Sequence, residues 1–311
     1  MQSTNPATSF NDKETRKDEM HQTIEAWCEE LTDLVAEANA SEHFQEWLDV
    51  QSRFHQYSYR NTLLIQAQYP EATKVAGYKT WQTEFDRQVN KGEQAIWIWA
   101  PIIAKQCPEC GNSPRYHEST DCSYNETPSS EWSRGPVVFR PVSVFDVSQT
   151  EGDPLPGLQT DATGTVDGCF QALCDASEKL NIILDIVSPA AWEHGRAKGV
   201  CVTAVSGSKS IPIEIKESDD RAAMAGTLIH EYAHALLHAG SASVSTPERA
   251  KREVEAEAVA YVVGRHLGLD MRGSAFYLAA WQNDEPDEIT DRLGRISRTA
   301  QTIIGAVGGD E

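Results

Sequence analysis

The sequence predicts an α+β fold in two domains, and three features of the chain support this expectation. Apolar residues recur at helical spacing from Met20 to about Pro70, a pattern typical of amphipathic helices. Two runs rich in β-branched and aromatic residues follow, at 95–99 and 137–147, and indicate strands. A stretch rich in Gly, Pro, Thr and Asp at 148–168 then marks a linker. The two domains predicted on this basis are 20–147 and 169–311.

The first domain follows a lead, 1–19, which we expect to be disordered because its residues are polar and of mixed charge. The lead has no apolar core of the kind that a signal peptide carries, so a cytoplasmic protein is expected. Within the domain, a turn-rich segment at 78–81 separates the helical region from the first strand run. An insert that contains three of the seven cysteines, 107–122, separates the two strand runs.

The second domain is expected to combine helices with short strands. Asp219 and Asp220 are suited to cap one of these helices, and Gly240 is suited to end it. The strand before this helix, 210–215, is interpreted either as an edge that takes an extended peptide or as a plain core strand. The predicted helices are 169–180, 221–239 and 245–268, and the predicted strands are 181–187 and 211–215.

The chain of 311 residues is acidic, with 27 Lys and Arg against 47 Asp and Glu and a net charge of −20. Phosphate backbones repel such a chain, which taken alone indicates a soluble enzyme without a nucleic-acid partner. The acidity is typical of a high-salt, halophilic cytoplasm, and selection for solubility is the competing explanation. The longest near-continuous apolar run has ten residues, 95–104, so no membrane partner is expected.

The strongest motif is His230-Glu231-Tyr232-Ala233-His234, which lies inside the predicted helix 221–239. Two imidazoles four residues apart lie on one face of a helix and can reach a single divalent ion. Glu231 then lies where it can take a proton from metal-bound water, which attacks a polarised carbonyl. The motif therefore predicts a catalytic Zn²⁺ site, with His230 and His234 as ligands and Glu231 as the catalytic residue.

A zinc site of this class requires a third protein ligand, and the predicted helix 245–268 offers three glutamates. Glu253 and Glu257 share one helical face, whereas Glu255 lies about 160° from each of them around the helix. We expect Glu253 to be the third ligand and Glu257 to accept a hydrogen bond from a ligand imidazole. The reversed assignment of these two glutamates stays open. The alternative is a solvated helix face on which the glutamates pair with neighbouring cations.

The Cys-rich insert contains a second set of metal-ligand residues. Cys107-Pro108-Glu109-Cys110-Gly111 has the C-P-x-C-G pattern of a zinc knuckle, and His117 and Cys122 follow at suitable spacing. In a reducing cytoplasm a metal is favoured over disulfides. We therefore expect a structural Zn²⁺ at Cys107, Cys110, His117 and Cys122. The alternative is a flexible insert in which the pattern is incidental.

The charge of the chain is not uniform. Residues 51–105 hold seven Lys and Arg against four Asp and Glu, a net charge of +3, and nine of the 25 aromatic residues. Cations interleaved with aromatic rings suit single-stranded DNA, whose bases stack on the rings. The candidate DNA contacts are Arg60, Lys79, Trp81 and Lys91. The alternative is that these four are ordinary core or surface residues.

Two ordered sets of motifs resemble known families. The segment 228–238, followed by Glu253-x-x-Ala256-Glu257, is similar to the ImmA/IrrE-like metallopeptidases. A second set resembles ArdC-type antirestriction proteins, and most of it falls in their N-terminal domain. The segments of this second set are 58–65 (SYRNTLLI), 68–73 (QYPEAT), 77–81 (GYKTW), 89–93 (VNKGE), 144–150 (VFDVSQT) and 276–281 (FYLAAW).

The resemblance implies a single-stranded-DNA-binding N-terminal domain joined to a zincin-like metallopeptidase domain with an unknown protein substrate. It also implies a role in protecting incoming DNA from restriction. By position, it implies His230, His234 and Glu253 as metal ligands and Glu231 as the catalytic acid and base. Two other functions stay open: a DNA-protecting binding protein whose metal site is purely structural, and a regulatory protease that cleaves a repressor.

Overall fold

The computed structural model of the protein describes residues 8–34, 39–120, 122–153, 166–201, 210–238, 246–271, 278–281 and 284–308. The fold in these ranges is mixed, which confirms the predicted α+β class. None of the helices described there combines the length and apolar character that a membrane span requires. The chain forms two compact units: unit 1 is Met1–Thr23 with Leu64–Asp153, and unit 2 is Ile24–Leu63 with Pro154–Glu311.

This division differs from the predicted domains, because residues 24–63 pack with the C-terminal half of the chain. Helix α2 (Asn39–Arg53) packs against helix α8 (Thr246–His266), and the Tyr261 hydroxyl donates to Asp49 at 2.7 Å. Helices α1 (Arg16–Leu34) and α3 (Tyr59–Gln68) contain the points at which the chain passes from one unit to the other.

The lead is not disordered from residue 8 onward, which corrects the expectation for most of 1–19. Phe10 is 1% exposed, and the guanidinium carbon of Arg16 lies 3.4 Å from the centroid of the Trp97 ring. An apolar anchor and a cation–π contact therefore attach this segment to unit 1. Residues 1–7 lie outside the described part of the chain.

Unit 1 is built on an antiparallel sheet in the order β1-β4-β3, with strands β1 (Val75–Gly77), β3 (Ile96–Lys105) and β4 (Arg134–Asp146). Strands β3 and β4 form a long hairpin with a register shift between Ile102 and Ile103. The Cys-rich insert connects them. Strand β2 (Arg87–Val89) pairs with β5 (Thr150–Gly152). The short helices are α4 (Tyr78–Thr83) and α5 (Pro114–His117).

The predicted linker 148–168 is partly ordered. A 3-10 turn, Val147–Gln149, begins it with a capping box. The Asp146 carboxylate accepts from the Ser148 backbone N–H at 2.9 Å, and the Asp146 backbone N–H donates to the Gln149 side chain at 2.8 Å. Strand β5 follows directly. Helix α6 (Val166–Lys179) already covers the last residues of the predicted linker, and 154–165 lie outside the described residues.

Unit 2 contains a three-stranded sheet in the order β6-β8-β7, with β6 (Ile182–Val187), β7 (Gly199–Cys201) and β8 (Ile211–Lys216). Strand β8 pairs in parallel with β6 and antiparallel with β7. It is therefore the central strand, so the plain-core interpretation of 210–215 holds and its interpretation as a peptide-binding edge is wrong. Strands β6 and β7 lie on either side of β8 in this sheet.

The helices of unit 2 enclose its core. Helix α7 (Arg221–His238) is buried along most of its length, with Leu228, Ile229 and Tyr232 at 0% exposure. Helix α8 packs on it, and the small residues Ala256 and Ala258 of α8 are fully buried. Helix α9 (Pro286–Gly308) was not predicted, although its buried Ile289, Leu293, Ile296 and Ala300 recur at helical spacing.

Candidate metal centre

Helices α7 and α8 bring three of the sequence-predicted ligands together. His230 and His234 on α7 and Glu253 on α8 each offer one ligand atom, and these atoms lie within 4.8 Å of one another. The two histidine Nε2 atoms are 3.0 Å apart. The Glu253 Oε2 atom is 3.7 Å from His230 Nε2 and 3.4 Å from His234 Nε2.

These separations fit one divalent ion. Bonds of about 2.0–2.2 Å at tetrahedral angles place ligand atoms about 3.3–3.6 Å apart, which is close to the three observed distances. The nearby imidazoles of His230 and His234 hold the pKa of the Glu253 carboxyl well below its usual range. Glu253 is thus a carboxylate at neutral pH, which is the form that binds a metal.

The local sequence explains why the two histidines face α8. The four-residue spacing of His230 and His234 places them on one side of α7. The Asp220 carboxylate caps this helix by accepting from the Ala223 backbone N–H at 3.0 Å. His238 lies one turn further along α7 and is 8% exposed. Its Nε2 atom is 3.3 Å from the carbonyl oxygen of Arg252.

Glu257 lies behind the histidines, on the same side of α8 as Glu253. Its Oε1 atom is 3.4 Å from Nδ1 of His230, whereas Glu253 approaches the Nε2 atom of the same ring. A carboxylate beside the distal nitrogen of a ligand imidazole fixes which nitrogen carries the proton. The geometry thus suits Glu253 for metal ligation and Glu257 for orienting His230.

Glu231 points away from solvent, towards strand β7. It is 8% exposed, and burial raises the pKa of its carboxyl. The approach of β7 is close: a Cβ atom on Gly199 would lie 2.8 Å from Cγ of Glu231. Glycine at this position therefore leaves the space that the glutamate side chain occupies.

A buried charge network links α8 to α9, and the sequence reasoning missed it. Glu255 is 0% exposed and accepts from Arg292 of α9 at 2.9 Å. Arg292 also donates to Asp284 at 2.8 Å. Arg295 and Lys251 complete the network with short contacts to Glu255 and Asp284, respectively. The sequence feature that could have indicated this network is Arg292, an arginine within the apolar stripe of a helical pattern.

The insert between β3 and β4 forms a second cluster, the Cys3His cluster, defined by Cys107, Cys110, His117 and Cys122. One ligand atom from each lies within 4.8 Å of the others. The Sγ atoms of Cys107 and Cys122 are 3.9 Å apart, and Sγ of Cys110 is 3.5 Å from Nδ1 of His117. A hydrogen bond with His117 lowers the pKa of the Cys110 thiol to about 6.

The four predicted DNA contacts do not share one environment. Lys79 and Lys91 of unit 1 are exposed. Arg60 belongs to unit 2, where its Nε atom donates to the Tyr59 hydroxyl at 2.9 Å. Trp81 is 0% exposed, and its indole N–H donates to the Phe145 carbonyl at 2.9 Å. This corrects the expectation for Trp81, because a ring enclosed in the core cannot stack on a base.

Residues 13–145 match the family model for the N-terminal domain of anti-restriction factor ArdC. An uncharacterized protein of Bacillus anthracis is 27% identical over 315 aligned positions, which cover 94% of this chain and 52% of the relative. The chain therefore spans about half the length of this curated relative.

Two solved structures of the antirestriction ArdC protein from plasmid R388 are also similar. The metal-free structure is 19% identical, with a TM-score of 0.44 over 81% of this chain and 85% of that chain. The Mn(II)-bound structure is 17% identical, with a TM-score of 0.49 over 93% of this chain and 99% of that chain.

Proposed function

We propose that this protein is an ArdC-like antirestriction protein, which binds single-stranded DNA and thereby protects it, and which carries a divalent metal centre on α7 and α8. The observation that carries the proposal is the match of 13–145 to the ArdC N-terminal domain family. This segment includes the part of the chain in which cations exceed acids. Binding alone accounts for protection, so the proposal does not require catalysis.

The DNA-contacting surface is proposed to include Lys79 and Lys91, together with the exposed ring of Tyr78. Tyr78 is 44% exposed and is the first residue of α4, next to Lys79. An exposed ring beside a cation can stack on a base while the cation contacts a phosphate. Tyr78 therefore takes the stacking role that the sequence had assigned to Trp81.

A salt titration tests this surface. Each phosphate contact on single-stranded DNA contributes a slope of about −0.7 to the dependence of log affinity on log salt. The Lys79→Ala/Lys91→Ala double variant should reduce this slope by about 1.4 and weaken binding equally for different sequences. Lys198→Ala removes an exposed charge outside the matched segment and serves as the control. An unchanged slope in the double variant would exclude these two lysines.

The metal centre is proposed to use His230, His234 and Glu253 as ligands. Two imidazoles and a carboxylate suit Zn²⁺ and also other divalent first-row metals, so the metal in the cell is left to measurement. When bound, such an ion polarises oxygen ligands and acidifies a bound water. In the protein, Glu257 keeps the His230 ring in one orientation.

A second candidate function is peptide-bond hydrolysis by the same centre. The observation that favours it is Glu231, which follows His230 directly in a buried position beside β7. A glutamate held there can accept a proton from an attacking water and pass it to a leaving amine. The substrate would be a protein, and a repressor is one such substrate if the protein regulates expression by proteolysis.

Glu231→Gln separates the two functions, because it keeps the shape of the side chain and removes the proton acceptor. For a binding protein, we expect the variant to retain its metal and to protect an unmethylated plasmid in a restricting host as well as the wild type does. Loss of protection together with loss of peptide cleavage, with the metal retained, would instead establish the hydrolase. Metal content is measured on both proteins so that a damaged site is recognised.

A further inference from the structure

We propose that the Cys3His cluster binds a structural Zn²⁺ ion that holds together the tip of the β3–β4 hairpin. This ion is separate from the metal of the α7–α8 centre, and its role is structural rather than catalytic. The proposal does not depend on the antirestriction function.

Two of the separations between the ligand atoms match those that zinc requires. Zinc bonds of about 2.3 Å to sulfur and about 2.0–2.1 Å to nitrogen, at tetrahedral angles, separate two sulfurs by about 3.8 Å and a sulfur from a nitrogen by about 3.5 Å. The observed separations are 3.9 Å between the Sγ atoms of Cys107 and Cys122 and 3.5 Å between Sγ of Cys110 and Nδ1 of His117. Three thiols with one imidazole form a donor set that zinc prefers over harder cations.

The backbone around the first two cysteines has the tight turn that a zinc knuckle requires. The Gly111 N–H donates to the Cys107 carbonyl at 2.9 Å, and the Cys107 N–H donates to the Asn112 carbonyl at 2.9 Å. Gly111 adopts φ +70°, which a residue with a side chain adopts only with strain. This turn presents both thiols to the same point.

Packing also holds the histidine in place. The Trp132 ring meets the His117 ring edge-on at a centroid distance of 5.0 Å. Trp132 is 6% exposed, and its indole N–H donates to the Thr127 carbonyl at 3.1 Å. An imidazole fixed in this way keeps Nδ1 directed at the cysteines.

The tip has too little apolar packing to hold its shape without a metal. Among the described residues of 106–133, the buried side chains are those of Cys107 and Trp132. The regular structure described there is α5, a helix of four residues. Segments that lack a hydrophobic core depend on disulfides or metals for order. A bound ion with four side-chain ligands supplies the stabilisation that a hydrophobic core would otherwise provide.

Metal counting on the full chain tests the proposal. We expect the wild type to bind two zinc ions, and Cys107→Ser/Cys110→Ser to bind one. Cys174→Ser changes a cysteine on α6, outside the cluster, and should still bind two. One ion in the wild type, with no change in the double serine variant, would overturn the proposal.

Cobalt substitution identifies the donor set independently of zinc stoichiometry. Co²⁺ bound by three thiolates gives strong sulfur-to-metal absorption in the near ultraviolet, which a site with two histidines and a glutamate does not give. We expect this absorption in the wild type and in Cys174→Ser, and its loss in the double serine variant. His117→Cys should retain both zinc and the absorption, because four thiolates also bind zinc. Absence of thiolate absorption from the wild type would refute the proposal even if the serine variant fails to fold.

Discussion

The two metal-ligand clusters of this protein rest on different kinds of support. His230, His234 and Glu253 project from two long helices whose opposite faces are buried in the core of unit 2. The Cys3His cluster lies on turns and a single four-residue helix, in a segment with two buried side chains among its described residues. The first site is therefore shaped by the fold, whereas the second is shaped by the zinc ion proposed for it.

The buried charge network explains how the helical site is held in shape before any metal binds. Glu255 lies between Glu253 and Glu257 in sequence and is paired with Arg292 of α9. Its other carboxylate oxygen is 3.6 Å from Nε2 of His238. Because both partners are buried, rotation or sliding of α8 would separate charges inside the core at a high cost. The pairing of Glu255 with α9 therefore helps to set the rotation of α8 that turns the carboxylates of Glu253 and Glu257 towards the histidines.

Removal of all metal with a chelator should have the largest effect on the order of the protein. We expect this effect in the tip of the β3–β4 hairpin. Binding of a structural zinc contributes about 10–16 kcal/mol in zinc-finger peptides at neutral pH, so the hairpin tip should lose its order after chelation. We expect limited proteolysis of the chelated protein to cut within 107–133, and zinc to restore protection. Helices α7 and α8 should keep their amide-exchange protection throughout.

Cleavage first within α7 or α8 after chelation would contradict the comparison, because the helical site would then also depend on its ion. Cys107→Ser/Cys110→Ser is the matched variant. It should be cut within the tip even in the presence of zinc, and its α7–α8 centre should still bind metal.

Arg292→Met is expected to have the next largest effect, this time in unit 2. The substitution leaves the buried carboxylates of Glu255 and Asp284 without the guanidinium between them, and breaking a buried ion pair from one side costs about 3–5 kcal/mol. The free energy of unfolding of unit 2, measured by urea titration, should fall by this amount. The exposed Arg298 lies on the same helix, and Arg298→Met should change the free energy of unfolding by less than about 0.5 kcal/mol. Equal effects of the two substitutions would show that the network does not hold α8.

Much of the helical site could be predicted because its determinants are local. The four-residue spacing of the histidines and the Asp220 cap lie within one helix, and the shared face of Glu253 and Glu257 follows from helical geometry alone. The Cys3His cluster was also predicted from spacing over 16 residues. Local patterns of this kind survive in the folded protein because few distant contacts compete with them.

The wrong expectations all concern distant partners. Trp81 lies in a polar stretch of sequence, and its burial depends on β4, more than 60 residues away, whose Phe145 carbonyl accepts from the indole. The central position of β8 depends on its pairing with β6 and β7. The assignment of 24–63 to unit 2 depends on the packing of α2 against α8, with a contact from Asp49 to Tyr261. Periodicity within a segment does not carry this information.

Glu257→Gln is expected to produce a smaller change, in metal affinity at the helical centre. The substitution removes the carboxylate beside Nδ1 of His230, and loss of such a partner weakens metal binding by about 10- to 100-fold. Glu253→Gln should weaken binding more, because it removes a ligand. Glu288→Gln, the same change on the exposed side of α9, is the control in a competition titration with a chelator of known affinity. A larger effect of Glu257→Gln than of Glu253→Gln would reverse the two assignments.

Gly111→Ala should have the smallest effect, which we expect on zinc affinity at the Cys3His cluster. It changes the backbone conformation of the turn and leaves the ligands in place. Gly111 has φ +70°, and no atom lies within 4 Å of the position that a Cβ would occupy, so the cost arises from backbone strain and not from a clash. A left-handed alanine costs about 1 kcal/mol, which corresponds to zinc affinity about fivefold weaker at the Cys3His cluster. Gly111→Asn should be milder, because asparagine adopts this conformation more readily. If alanine and asparagine weaken zinc binding equally, the left-handed turn is not what orders the two thiols, and the shape of the cluster comes from the ion alone.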